Sequence, residues 1–164
     1  MNLIGTEFED GVLTVTLRDE ENRNALSVEL TSELAETLDE AESNSEVRVI
    51  VLTNSGRVFC AGADLSERSS RKKNQSQTKP VDPSEIFSRF RKSSKPYIGK
   101  ITGHCVAGGM GIAAAMDISI AIEEAKFGFT EVRIGVAPAM ISVLCLPKMR
   151  SAEASEAFLR GNRF

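Results

Sequence analysis

Two glycine-rich segments, each set where a strand gives way to a helix, constrain this chain more than anything else in it. The first is Phe59-Cys60-Ala61-Gly62-Ala63-Asp64-Leu65; the second is Gly103-His104-Cys105-Val106-Ala107-Gly108-Gly109-Met110-Gly111. Residues this small let two stretches of main chain approach closely and leave backbone N–H groups uncovered for a ligand. Two N–H groups aimed at one point form an oxyanion hole, which stabilises an oxygen that becomes anionic during reaction. Downstream lies one carboxylate, Glu131 in Phe127-Gly128-Phe129-Thr130-Glu131, a group able to move a proton beside such an oxygen. Either glycine segment alone is weak evidence, because Gly-Gly before a helix usually serves close packing. Their order, with Phe-Gly-x-x-Glu behind them, points to chemistry on a thioester or a similar carbonyl.

The elements around these segments follow from hydrophobic periodicity. Val12-Leu13-Thr14-Val15-Thr16-Leu17 alternates at period two and predicts a half-buried strand, with Glu7 to Glu9 across a turn at Gly11 as the other arm of a hairpin. Ser27 predicts a helix N-cap, and Leu30, Leu34, Leu38 and Ala41 place an amphipathic helix over 28–43, ended by Asn44. Val47 to Thr53 is apolar and β-branched and predicts a central strand, directly followed by the first glycine segment. Strand, helix, strand in that order predicts a crossover unit. Residues 66–83 are polar and nearly free of apolar side chains, which predicts a mobile loop, read equally as a lid or as a surface insertion. Ser84 is expected to cap a short helix carrying Ile86, Phe87 and Phe90. Pro96–Ile101 and Asp117–Ile122 read as two further buried strands. A helix is expected to open at Gly108 and Gly109, and others over 139–146 and 152–160.

A chain of 164 residues suffices for one domain with its own core. A net charge of −3 argues against a nucleic-acid partner held by bulk electrostatics. The cysteines Cys60, Cys105 and Cys145 are odd in number and lack Cys-x-x-Cys spacing, which suggests neither a disulfide framework nor a zinc site and predicts no metal. No stretch is apolar and long enough to span a membrane, and the N-terminal residues lack the marks of a signal peptide, so the expected location is cytoplasmic.

Taken together, Asn24-Ala25-Leu26-Ser27, Val49-Ile50-Val51-Leu52, the Phe59–Leu65 segment, Lys95-Pro96, Gly103–Gly109, Asp117 and Phe127–Glu131 resemble the crotonase superfamily, that is, the enoyl-CoA hydratase/isomerase family. The likeness covers nearly the whole chain. It implies an α/β fold in which repeated ββα units wind into a spiral, with 1–164 forming the core domain and lacking the family's C-terminal helical part. It implies an acyl-CoA thioester as substrate, no cofactor (coenzyme A being part of the substrate), no nucleic acid, no membrane, and a homotrimer or hexamer.

The resemblance also implies roles. The N–H groups of Ala61 and Gly108 would form the oxyanion hole, with Glu131 as catalytic acid/base. Arg23, Ala25, Leu26, Ala61, Gly62, Ala63, Asp64, Gly108 and Gly111 would contact substrate or coenzyme A. Two-glutamate hydratases carry a second glutamate at the position of Gly111, which with Glu131 would hold and activate water. One glutamate alone is similar to the Δ3,Δ2-enoyl-CoA isomerases, where one base takes a proton from one carbon and returns it to another. The leading expectation is hydration of a 2-enoyl-CoA; the alternatives are that isomerisation and a non-catalytic acyl-CoA binding module. His104 and Cys60 are expected to be structural, Asp64 to order its own loop, and Glu67 and Glu124 to be solvated.

Overall fold

The computed structural model describes residues 2–70 and 81–164. Residues 71–80 of the lid or insertion expected over 66–83 lie outside the described residues. The chain opens with the hairpin β1 (Ile4–Glu9) and β2 (Val12–Leu17), antiparallel, with Ile4 opposite Leu17 and Glu9 opposite Val12. Helix α1 (Val28–Ser43) follows. Ser27 Oγ accepts a hydrogen bond from the Leu30 N–H at 3.1 Å, and Asn44 closes the other end, as the sequence predicts. Leu30, Leu34 and Leu38 are fully buried, which fixes the face that α1 turns to the core.

Three further turns of the spiral succeed one another. The second holds β3 (Val49–Asn54), β4 (Val58–Cys60), α2 (Leu65–Ser70) and α3 (Pro83–Lys92). The third holds β5 (Tyr97–Ile101), β6 (His104–Val106) and α4 (Gly108–Ala115). The fourth begins with β7 (Ile118–Ala121) and β8 (Phe127–Gly128), runs through a short 3-10 helix (Thr130–Ile134), and continues into α5 (Ala139–Cys145) and α6 (Ser151–Arg160). The first strand of each later turn joins a five-stranded sheet ordered β1-β2-β3-β5-β7, and the second joins a three-stranded sheet ordered β4-β6-β8. Every pairing apart from the hairpin is parallel. This is the repeated ββα organisation that the resemblance implies.

Four sequence expectations need correction. Residues 66–70 are helical rather than loop, because Asp64 supplies the N-terminal acceptor for α2. The cap of α3 is Asp82, whose Oδ1 accepts from the Ser84 N–H at 2.8 Å. The first glycine segment does not follow the 49–54 strand directly, since β4 intervenes; β4, β6 and β8 have only two or three residues each, too few for a periodic signal. Finally, β7 is not buried. It is the edge strand of the larger sheet, and Ile118 and Ile120 are 56% and 65% exposed. An apolar β-branched run reports pairing propensity, and here pairing is satisfied on one side by β5 without a covering layer.

Candidate active site

The loop after β4 is laid against the loop that enters α1. Arg23 and Asn24 both adopt left-handed backbone, with φ of +57° and +50°. Asn24 Nδ2 donates to the Val58 carbonyl at 2.7 Å, which anchors that bend to the start of β4. The Ala61 N–H then donates to the Arg23 carbonyl at 3.1 Å, and the Leu26 N–H to the Gly62 carbonyl at 2.7 Å. Leu26 and Ala63 form a parallel bridge. These contacts explain why small residues follow β4: two main chains lie side by side there.

The second glycine segment approaches from the other side. Ala107, at the entry to α4, holds φ at +50°, and its N–H donates to the Gly128 carbonyl at 3.0 Å. Gly109 allows the first turn of α4 to press on β4, since a Cβ there would fall 2.6 Å from the Cys60 carbonyl oxygen. Gly62 and Gly108 face each other. A Cβ built on Gly62 would lie 2.9 Å from the Gly108 nitrogen, and one built on Gly108 would lie 3.7 Å from the Ala63 nitrogen.

That juxtaposition corrects one assignment. The Ala61 N–H is already committed to the Arg23 carbonyl, so it is not an open donor. The N–H groups of Ala63 and Gly108 donate to no other described residue, and both nitrogens lie beside the Gly62–Gly108 contact. Gly108 also begins α4, where helix geometry leaves the first N–H groups unpaired and the dipole favours negative charge. The open pair is therefore Ala63 with Gly108. Sequence alone places both alanines in the same small-residue run and does not show which of them turns its N–H inward.

Glu131 sits in the 3-10 helix that follows β8, and Gly135 ends this helix with φ of +72°. A cleft of about 570 Å³ is lined by Glu131 together with Ala63, Gly108, Leu26, Phe87 and Ile141. The Oε2 atom of Glu131 is buried and has no hydrogen-bond partner among the described residues. Burial raises the carboxyl above its ordinary value, because the charged form loses solvation. The folded protein therefore holds this proton at pH values where the unfolded chain has released it. By linkage, the native state binds more protons in that window, so stability falls as pH rises through it. Replacement Glu131→Gln is expected to flatten this dependence, which urea unfolding at a series of pH values would register.

Arg23 and Ala61 also line the cleft, whereas Ala25, Gly62, Asp64 and Gly111 do not. Gly62 packs against Ala107 and Gly108, with no room there for a Cβ. Asp64 turns back on its own loop: its Oδ1 accepts from the Ser66 N–H at 2.8 Å, from the Ser66 hydroxyl at 2.6 Å and from the Glu67 N–H at 3.3 Å. These bonds, the Ser66 hydroxyl foremost, hold its carboxyl below the usual carboxylate range. Gly111 is buried inside α4, where a Cβ would meet Ile141 Cγ2 at 2.7 Å and Phe87 Cζ at 2.8 Å. Glu67 is not simply solvated, because both its oxygens accept from the Val28 N–H. His104 Nδ1 accepts from the Lys126 N–H at 3.1 Å, a bond that ties β6 to the chain entering β8. Burial pushes the thiols of Cys60 and Cys145 up to about 12, so both stay protonated and neither is an activated nucleophile. Sequence reasoning missed Phe87 and Ile141, which come from separate helices and carry no motif.

Comparison with known proteins identifies the family. The model of the family described as enoyl-CoA hydratase/isomerase matches residues 7–164. The short-chain-enoyl-CoA hydratase of Clostridium acetobutylicum is 33% identical over 139 residues, covering 84% of this chain and 53% of its own. The 1,2-epoxyphenylacetyl-CoA isomerase of Escherichia coli is 32% identical over 173 residues, covering 99% and 64%. The crystal structure of an enoyl-CoA hydratase from Mycobacterium avium superposes with a TM-score of 0.82 at 37% identity, covering all of this chain and 64% of that one. The chain thus spans between 53% and 64% of the length of these relatives. With a family match over nearly its whole length and the same fold as an enoyl-CoA hydratase, the chain belongs to the enoyl-CoA hydratase/isomerase family.

Proposed function

We propose that the cleft takes the thioester of an enoyl-CoA and that Glu131 acts as its single acid/base. The observation that carries this reading is the buried, unpartnered Oε2 of Glu131, in a cleft shared with the two open N–H groups of Ala63 and Gly108. A buried carboxylate oxygen left without a partner among the described residues calls for an explanation, and a proton-transfer role supplies one. The thioester oxygen would accept from both N–H groups. Charge that develops on it as a carbon-bound proton leaves would then meet donors that need no rearrangement.

The surroundings of Gly111 favour isomerisation over hydration. Phe87 and Ile141 fill the space into which a second carboxylate would have to project. One base then suffices for a balanced reaction. Glu131 takes a proton from the α-carbon of a 3-enoyl-CoA, the electrons move into a dienolate, and the same proton returns to the γ-carbon, giving the 2-enoyl isomer. Hydration of a 2-enoyl-CoA remains the second reading, supported by the hydratase names among the relatives. It requires Glu131 alone to manage both the water and the proton delivered to the α-carbon.

Incubation with a 3-enoyl-CoA and, separately, a 2-enoyl-CoA in deuterated water, followed by chromatographic separation of the two isomers and mass spectrometry, separates the readings. Conversion of the 3-enoyl substrate without gain of water is expected. Gain of one water by the 2-enoyl substrate would replace isomerisation with hydration. Binding without change in either substrate would replace both with an acyl-CoA binding module.

A further inference from the structure

We infer that Glu67 is a positioning residue that holds the Ala63 N–H on target by fastening its loop to the start of α1; this rests on the reading of Ala63 and Gly108 as the oxyanion donors. The fastening is made by both carboxylate oxygens of Glu67, each accepting from the Val28 N–H at 3.1 Å across 39 residues of sequence. Val28 is the first residue of α1, so its N–H is one of those a helix leaves without an internal partner. A carboxylate is favoured there by the helix dipole. Ser27 serves the Leu30 N–H at the same helix end, so Glu67 adds an acceptor where the ordinary cap does not reach.

Ala63 is thereby held from both sides by one rigid support. Ahead of it, the Gly62 carbonyl accepts from the Leu26 N–H at 2.7 Å. Behind it, Asp64 Oδ1 accepts from the Glu67 N–H, making the four residues from Asp64 to Glu67 a closed turn that transmits the hold at Val28. The support is rooted in the core by Leu30 and Leu34, which have no exposed surface. The Ala63 N–H takes part in none of these bonds and stays open to the cleft. An oxyanion donor works only when its direction is fixed before the charge appears. Loss of the rear tether therefore acts on the transition state, not on the ground-state complex.

Two variants test this from opposite ends of one hydrogen bond. Glu67→Ala removes the acceptor. Val28→Pro removes the donor at a helix position where proline is tolerated, and Ser27 before it already has the extended backbone that proline demands, with φ −73° and ψ 165°. Each is expected to lower kcat by about 10²-fold, the effect of a misplacement near 1 Å, with KM and the affinity for butyryl-CoA unchanged. The double variant is expected to lose no more than either single one, and Glu67→Gln, which keeps one oxygen for the Val28 N–H, to recover most of the rate. Unchanged kcat in either folded variant would overturn the inference, as would kcat and butyryl-CoA affinity falling together with stability. Absence of turnover by the unsubstituted protein would instead overturn the reading of the site. The tether is then judged by amide hydrogen exchange over residues 62–66, where faster exchange in Glu67→Ala supports it and unchanged exchange overturns it.

Discussion

Substitution of Glu131→Gln is expected to lower the turnover of an enoyl-CoA by about 10³- to 10⁴-fold while acyl-CoA binding persists, since a positioned acid/base commonly contributes up to that much. Glutamine has nearly the same shape, so it fits the half-buried position in the 3-10 helix without opening a cavity. It cannot accept and return a proton at carbon. The usual objection to such an experiment, that the variant simply unfolds, is weak here. In the native protein Oε2 is buried with no partner among the described residues, and burial penalises the ionised form. Removing that charge relieves a cost, so the variant should be at least as stable near neutral pH. Turnover on a 3-enoyl-CoA and on a 2-enoyl-CoA, measured beside the Kd for butyryl-CoA, separates proton transfer from binding. Near-normal rates on either substrate in the glutamine variant would remove Glu131 from the mechanism and with it the present reading of the cleft.

Glu131 is legible in the amino-acid sequence because a short motif surrounds it, and α1 is legible because cap, periodicity and terminator agree over Ser27 to Asn44. Where one local signal decides an element, the sequence suffices. The choice between Ala61 and Ala63 is of another kind. Both are small residues in one loop, and only the neighbouring main chain decides which N–H is consumed: the Arg23 carbonyl takes that of Ala61. Glu67 reads as a surface carboxylate because its partner lies 39 residues away at the end of another element. The strands β4, β6 and β8 escape notice because two or three residues carry no period, although together they form the sheet whose ends bear both glycine segments. The exposure of β7 is likewise a property of sheet order, which composition does not encode. Gly111 marks a departure from the two-glutamate pattern in sequence, and only the packing of Phe87 and Ile141 shows that the space itself is closed.

The spacing of the two donors yields the second large effect. Gly62→Ala is expected to reduce kcat by about 10²- to 10³-fold, as the loss of one oxyanion donor does. Gly62 has φ of +88°, and an added Cβ would stand 2.6 Å from Ala107 Cβ and 2.9 Å from the Gly108 nitrogen. Neither neighbour can yield cheaply. Ala107 is itself held at φ +50° by its bond to the Gly128 carbonyl, and Gly108 opens α4. The new methyl must push the loop and the helix start apart, and the two N–H groups then no longer meet at one oxygen. Backbone strain alone would not do this, and Gly56→Ala supplies the comparison. Gly56 also has positive φ, +71°, but the atoms nearest a Cβ there belong to the Glu20 side chain, which can swing aside into solvent. Both substitutions incur roughly 1–3 kcal/mol for an alanine in left-handed backbone. Only Gly62→Ala adds a clash with main chain, so its unfolding free energy should fall further and its kcat alone should collapse. Equal kcat in the two variants would mean that the Gly62–Gly108 contact sets no catalytic geometry, and the pairing of Ala63 with Gly108 would have to be abandoned.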